Sequence, residues 1–185
     1  MKIGYQGIQG SNSERATKEF IKKNDFKTVE LIPLVNSEQV ARHILEKKIE
    51  YGVMAIKNSI AGNVKETETV LKKYNLNIIS KEQIYIHHYL YKKKSVLKEN
   101  IKIIASHEQA LYQTKHNLRK IFGNIKTLPL EDTALSAKLL YEKFLEENTA
   151  VICSKEAGEL YKLDCIASNI EDDKNNITEF ILVSK

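Results

Sequence analysis

The stretch YGVMAIKNSIAGNV, Tyr51 to Val64, decides the fold. It begins as a buried strand, with Val53, Met54, Ala55 and Ile56 in one apolar run. It then breaks into a cation, an amide and a hydroxyl, Lys57-Asn58-Ser59, with Gly62 close behind and a helical pattern over 64–73. Outward from this point the same alternation recurs. Strands are predicted over 2–6, 28–33, 51–56, 78–91, 101–105, 125–129, 149–153, 164–168 and 177–184. Helices are predicted over 12–23, 37–48, 64–73, 107–121, 133–146 and 154–161. Val40, Ile44 and Leu45 share one side of the second helix, and Leu135, Leu139, Leu140 and Phe144 one side of the fifth. Strand–helix alternation predicts an α/β protein with a largely parallel sheet. The segment IISKEQIYIHHYLYKKK is long for one strand and suits a crossover from one lobe to another.

The bulk numbers bound the problem. A chain of 185 residues fits one domain or two small lobes. With 42% hydrophobic and 29% charged residues it has an ordinary globular composition. The net charge of +5 comes from scattered lysines, a solvated surface rather than a nucleic-acid stripe, and it suits an anionic small molecule. Cys153 and Cys165 have neither CxxC nor metal-type spacing, as expected of a reduced, cytoplasmic protein. The start, MKIGYQGIQGS, has no apolar core of a signal peptide, and no run approaches the roughly 20 apolar residues that span a membrane.

Four junctions share a pattern in which a strand ends, a small hydroxyl residue appears and a helix starts: Gly10-Ser11, Ala105-Ser106, Asp132-Thr133 and Cys153-Ser154. Ser11 with Glu14, and Ser106 with Gln109, read as capping boxes. Helix starts also attract anions, and in α/β sheets they gather at the carboxyl ends of the strands. Their clustering is compatible with a dicarboxylate site. GYQGIQGS is neither a Walker loop nor a GxGxxG, and reads as a tight strand-to-helix turn. His87 and His88, read within a strand, point to opposite faces and do not readily share a metal. His107 falls in a first helical turn. The loop Asp172-Asp173-Lys174-Asn175-Asn176 lacks the glycine and final glutamate of a calcium loop, so it reads as turn chemistry.

At Asn58 the sequence meets a family. YGVMAIKNSIAGNV resembles the GVVPIENSIEGSV stretch of prephenate dehydratases. GYQGIQGSNSERA resembles that family's YLGPEGTFSHLA, and ISKEQIYIHHYL its GE..I.I.H.L crossover. ASHEQALYQ resembles SHPQALAQC, and TALSAKLL resembles TAAAA. The final stretch, TAVICSKEAGELYKLDCIASNIEDDKNNITEF, resembles AAIAS..AA.LYGL.IL..NIQD...N.TRF. The matches are collinear and cover essentially the whole chain.

The resemblance implies a two-lobed, periplasmic-binding-protein-like (type II) α/β fold with a cleft between lobes, lobe 1 roughly 1–76 plus 154–185 and lobe 2 roughly 77–153. It implies conversion of prephenate, a small dicarboxylate, to phenylpyruvate with loss of water and carbon dioxide, in phenylalanine biosynthesis. It further implies no cofactor or metal, and a homodimer or homotetramer. Many members carry an ACT domain that senses phenylalanine; with the sequence ending at Lys185, feedback through one is expected to be absent. Carried over by position, the catalytic candidates are Asn58, Ser106, Gln113 and Thr178. Asn58 and the N–H groups at Ser106 are expected to hold carboxylates, Gln113 to orient the ring, and Thr178 to donate to the departing hydroxide. Substrate-binding candidates are Ser11, Lys57, Ser59, His107, Glu179 and Phe180.

Two positions depart from the family pattern. The glutamate of ENS is Lys57 here, and the arginine of TRF is Glu179. One expectation is an ion pair with exchanged signs, Lys57 facing Glu179. The alternative is altered recognition: arogenate, whose ammonium suits Glu179, or a non-catalytic carboxylate-binding paralogue. A prephenate decarboxylase is a further relative, but retention of Thr178 argues against it.

Overall fold

A computed structural model describes all residues, 1–185. The strands in chain order are β1 Lys2–Gln6, β2 Glu30–Leu34, β3 Tyr51–Asn58, β4 Gly62–Asn63, β5 Asn77–Tyr85, β6 Tyr89–Lys92, β7 Ile103–His107, β8 Lys126–Leu130, β9 Thr149–Cys153, β10 Asp164–Ala167 and β11 Ile177–Ser184. The helices are α1 Asn12–Lys23, α2 Ser37–Leu45, α3 Lys65–Tyr74, α4 Glu108–Gln113, α5 Lys115–Phe122, α6 Thr133–Tyr141 and α7 Lys155–Leu160. The chain divides into two compact units. Unit 1 holds Met1–Ile86 and Asn175–Lys185; unit 2 holds His87–Lys174.

These bounds differ from the lobes expected. Residues 77–86 belong to unit 1 because β5 pairs along its length with β11. Residues 154–174 belong to unit 2 because β10 pairs with β6. Sheet membership is a long-range property, and local pattern does not carry it.

Unit 1 is a sheet in the order β2-β1-β3-β11-β5, with β4 attached to β3. Its two faces bury different sets of side chains, as strand alternation requires. On one face, Ala16 and Phe20 of α1 pack with Ile3, Tyr5, Val53, Ile84, Phe180 and Leu182. On the other, Val40 and Ile44 of α2 and Val70 of α3 pack with Met54, Ile181 and Val183. Unit 2 has the order β10-β6-β9-β7-β8. Ala110 of α4 and Leu118 of α5 pack with Leu90, Ile104 and Ile152, while α6 and α7 pack elsewhere on the sheet and on each other. The predicted parallel character holds for β1–β2, β1–β3, β7–β8 and β7–β9; the other pairings are antiparallel, so both sheets are mixed.

Candidate active site

The β3–β11 pairing contains the feature that builds the unit 1 cluster. Thr178 opposes Asn58 and Glu179 opposes Lys57, but Phe180 opposes Ala55. One extra residue on β3, Ile56, forms a β-bulge. Along β3, Val53 and Ala55 face α1, whereas Met54 and Ile56 face α2 and α3. Strict alternation would send Asn58 toward α2. The bulge resets the parity, so Asn58 joins Thr178 on the α1 face, where Ile84 opposes Thr178 from β5.

There the Asn58 side chain is held at both ends. Its Oδ1 accepts from the main-chain N–H of Ile60 at 3.0 Å and of Ala61 at 2.9 Å. Two donors at one end fix the oxygen there, so the amide nitrogen faces β11. Nδ2 donates to Asn176 Oδ1 at 2.8 Å and Thr178 Oγ1 at 2.9 Å, with Ile177 O at 3.2 Å. Thr178 therefore accepts from Asn58, and its own hydroxyl proton points elsewhere. Asn176 is fully buried and Thr178 is 9% exposed. Gly62, at φ +82°, closes the turn that brings β4 back against β3.

Several expectations change here. Asn58, expected to hold a carboxylate, instead bonds within its own chain and donates to Thr178. The Ser59 hydroxyl donates to Asn175 O at 3.0 Å and accepts from Ile177 N at 2.9 Å, so it anchors the 175–177 segment rather than a substrate. Phe180 is 2% exposed in the α1-side core and is not a substrate contact. Lys57 and Glu179 are cross-strand neighbours, but Glu179 pairs with Lys81 at 3.1 Å and Lys57 has no ion pair. Lys81 opposes Ile181, so it shares Glu179's face of β11 and reaches it diagonally. Both charge-inverted positions thus lie on the sheet face away from Thr178. Ser11 caps α1, accepting from Glu14 N at 3.3 Å, while Glu14 bonds Gly10 N at 2.6 Å and Lys18 at 2.7 Å.

Unit 2 holds the other candidates. Ser106 does not start a helix: it lies inside β7, fully buried, and its hydroxyl donates to Ile152 O at 2.6 Å. The cap of α4 is His107, whose Nδ1 accepts from Gln109 N at 3.2 Å. Gln113 ends α4, and its Oε1 lies 2.8 Å from His88 Nε2, which donates because that oxygen only accepts. Burial holds the His88 imidazole below its usual pKa, against the opposing effects of Gln113 and Glu171, so the ring is neutral.

Sequence reasoning missed Glu171, a fully buried carboxylate. Oε2 accepts from His88 N at 2.9 Å; Oε1 accepts from His87 Nδ1 at 3.0 Å and Lys174 at 3.3 Å. Burial alone would raise its pKa, but these donors outweigh it and hold the carboxyl below the usual range. The two histidines lie between β5 and β6, not in a strand, and their rings take separate partners. Asp172 accepts from the N–H groups of His116 and Asn117, both at 2.9 Å, and so caps α5. That is turn and cap chemistry, as the loop composition suggested.

Four matches place the chain among known proteins. The family model described as "PDT: Prephenate dehydratase" matches residues 3–185. An arogenate dehydratase/prephenate dehydratase of Arabidopsis thaliana is 30% identical over all of this chain and 43% of its own length. The chain spans 42–46% of the length of the curated relatives it matches. A prephenate dehydratase from Arthrobacter aurescens, solved in complex with L-Phe, superposes with a TM-score of 0.90 at 26% identity, covering 100% of this chain and 60% of that one. The substrate-binding protein of a methionine transporter from Streptococcus pneumoniae shares the fold alone, at a TM-score of 0.51 and 15% identity, over 100% of this chain and 80% of that one. The periplasmic-binding-protein-like fold class is thus the one expected, and the chain belongs to the prephenate dehydratase family.

Proposed function

We propose that the chain catalyses decarboxylating dehydration of prephenate to phenylpyruvate, with Thr178 acting on the leaving hydroxide. The observation that carries this reading is the bond from Asn58 Nδ2 into Thr178 Oγ1. In the reaction, the bond from the ring to its carboxylate breaks and carbon dioxide leaves. The electron pair enters the ring, and the C4–O bond breaks with its own pair. The ring becomes aromatic, and the departing oxygen takes up a proton to leave as water. The barrier lies in hydroxide being a poor leaving group. A donor must hydrogen-bond that oxygen as charge develops on it. A threonine hydroxyl alone is a weak acid. An N–H donated into its oxygen polarises it in the direction the step needs. Asn58 thereby leaves Thr178 one proton to aim and strengthens it as a donor.

Lys57 and Glu179 lie on the far face of the sheet from this hydroxyl, which supports activity despite the inverted charges. A second reading, dehydration of arogenate, is favoured by the name of the Arabidopsis relative, which carries both activities. The chain is incubated with prephenate, following phenylpyruvate absorbance, and with arogenate, following phenylalanine. Turnover of either acid that is lost in Thr178→Ala supports the reading. Thermal stabilisation by both acids without turnover of either would replace it with a binding module.

A further inference from the structure

We infer that Asn176 is a positioning residue for this reaction, acting through Asn58 on the Thr178 hydroxyl; the inference rests on the reading of Thr178 given above. The Asn58 amide has fewer hydrogens than there are oxygens around it. The Asn58 amide nitrogen has two, and three oxygens lie within reach: Asn176 Oδ1 at 2.8 Å, Thr178 Oγ1 at 2.9 Å and Ile177 O at 3.2 Å. Its oxygen end is pinned by Ile60 N and Ala61 N, so the amide cannot flip to present a different set. Asn176 takes one hydrogen at the shortest of the three distances, which leaves the other for Thr178.

Deleting the Asn176 side-chain oxygen frees a hydrogen beside an alternative acceptor, Ile177 O. The amide then settles between the two remaining oxygens, and its hold on Thr178 loosens. The Thr178 proton loses its fixed direction. Asn176 holds the segment in a second way, accepting from Ile86 N at 2.8 Å, but it does so through its main-chain carbonyl. A side-chain substitution leaves that bond in place, so the two roles are experimentally separable.

The test is a double-mutant cycle on the turnover of prephenate, with enzyme in excess so that slow variants remain measurable. Asn176→Ala is expected to lower kcat about tenfold, the worth of one well-placed hydrogen bond, and to change KM less than about twofold. In the Asn58→Ala background the same substitution is expected to cost nothing further, since its route to Thr178 is already cut. A purely structural role would multiply the losses. Multiplied losses, or full kcat in Asn176→Ala, overturn the inference.

A measurement on the unsubstituted protein stands apart from folding of the variants. The Asn58 side-chain amide protons, read by nitrogen-edited NMR, are expected to exchange far more slowly than those of the exposed Asn175. Equal exchange overturns the relay. If Thr178→Ala retains full kcat, the reading of Thr178 fails as well. If that variant is inactive and only the cycle is multiplicative, Asn176 alone is misassigned.

Discussion

In unit 1 the Thr178 hydroxyl accepts from a side-chain amide; in unit 2 the Ser106 hydroxyl donates its proton to a main-chain carbonyl. Both are alcohols near the end of a strand, and both match the family's pattern. Their hydrogen bonds nevertheless run in opposite directions. Ser106 has committed its proton to Ile152 O, inside the core, where the Ser136 hydroxyl also reaches the same oxygen at 3.2 Å. Thr178 has committed a lone pair and kept its proton. The same contrast separates Asn58, which aims another side chain, from Gln113, whose oxygen is tied to a buried imidazole. Sequence identity at a motif position therefore does not say which way a hydrogen bond points, and for acid chemistry the direction decides the role. Variants of the Asn58–Thr178 network in unit 1 should change turnover, and variants of Ser106 and His88 in unit 2 should change stability with turnover near the parent's.

The largest effect should come from Thr178→Val, which keeps the shape and removes the hydroxyl. We expect kcat to fall about a hundredfold or more, the usual scale for losing an acid–base partner. Thr178→Ser should stay within about tenfold of the parent. Stability should drop by about 1 kcal/mol, since Val leaves an Asn58 hydrogen without that acceptor. A valine variant with parental kcat in the phenylpyruvate assay would break the contrast at its root.

That network shows how far the sequence could be read. The elements with one dominant signal were legible: β9, Thr149–Cys153, is buried throughout, and α1, Asn12–Lys23, has both a cap and a clear apolar stripe. Helix ends without glycine were not. The helices predicted over 37–48 and 133–146 stop early because Lys47 and Lys143 adopt φ of 56° and 64°. Lys48 N and Phe144 N then close back on His43 O and Leu139 O, a stop that usually advertises itself with glycine. The helix predicted over 107–121 breaks at Thr114, whose hydroxyl bonds Ala110 O at 2.7 Å, a bond that bends helices. The candidate residues were legible by type, but the bulge at Ile56 was not, and that bulge puts Asn58 beside Thr178.

The second effect concerns pH and belongs to unit 2, since Asn58, Asn176 and Thr178 do not titrate. His88 is held below the ordinary histidine value of 6.5, so as pH falls past 6.5 the unfolded chain takes up the proton first. Its contribution is complete above that value and is lost on acidification. The slope is at most about 1.4 kcal/mol per pH unit for one proton. Glu171 acts lower: its carboxyl is held below 4.5, so its contribution is present above 4.5 and disappears as pH falls through the folded value. Between pH 6.5 and 4.5, denaturant titrations of His88→Gln, which keeps a donor toward Gln113, should show a flatter decline than the parent. Thr178→Val should decline with the parent's slope, offset by its lower stability. Identical curves for His88→Gln and the parent would place the acid sensitivity outside this cluster.

A smaller effect is expected from Ser106→Ala: about 1 kcal/mol less stability, with turnover within about threefold of the parent. The Ser136 hydroxyl lies 3.2 Å from Ile152 O but holds Thr133 O at 2.6 Å, so it limits the cost only by turning from one carbonyl to the other. A hundredfold loss of turnover at unchanged stability would mean that Ser106 meets the substrate, and the division of labour between the units would fall.

The smallest effect is the most pointed, because it concerns one of the two charge-inverted positions. If Glu179 faced the substrate, its carboxylate would repel a dianion, and Glu179→Gln would improve prephenate binding strongly. The register argues otherwise. Glu179 alternates with Thr178 along β11, shares a face with Ile181 and Val183, and pairs with Lys81, the two side chains being 25% and 55% exposed. A pair so placed contributes well under about 1 kcal/mol, and more salt screens it further. Glu179→Gln should therefore leave kcat and KM within about twofold, at both low and high salt. Neutralising a charge across the sheet from the hydroxyl removes a Lys81 partner and leaves the Asn58–Thr178 geometry alone. A tenfold fall in KM on this one substitution would show that the carboxylate reaches the ligand after all, and the parity set by the bulge would have to be wrong.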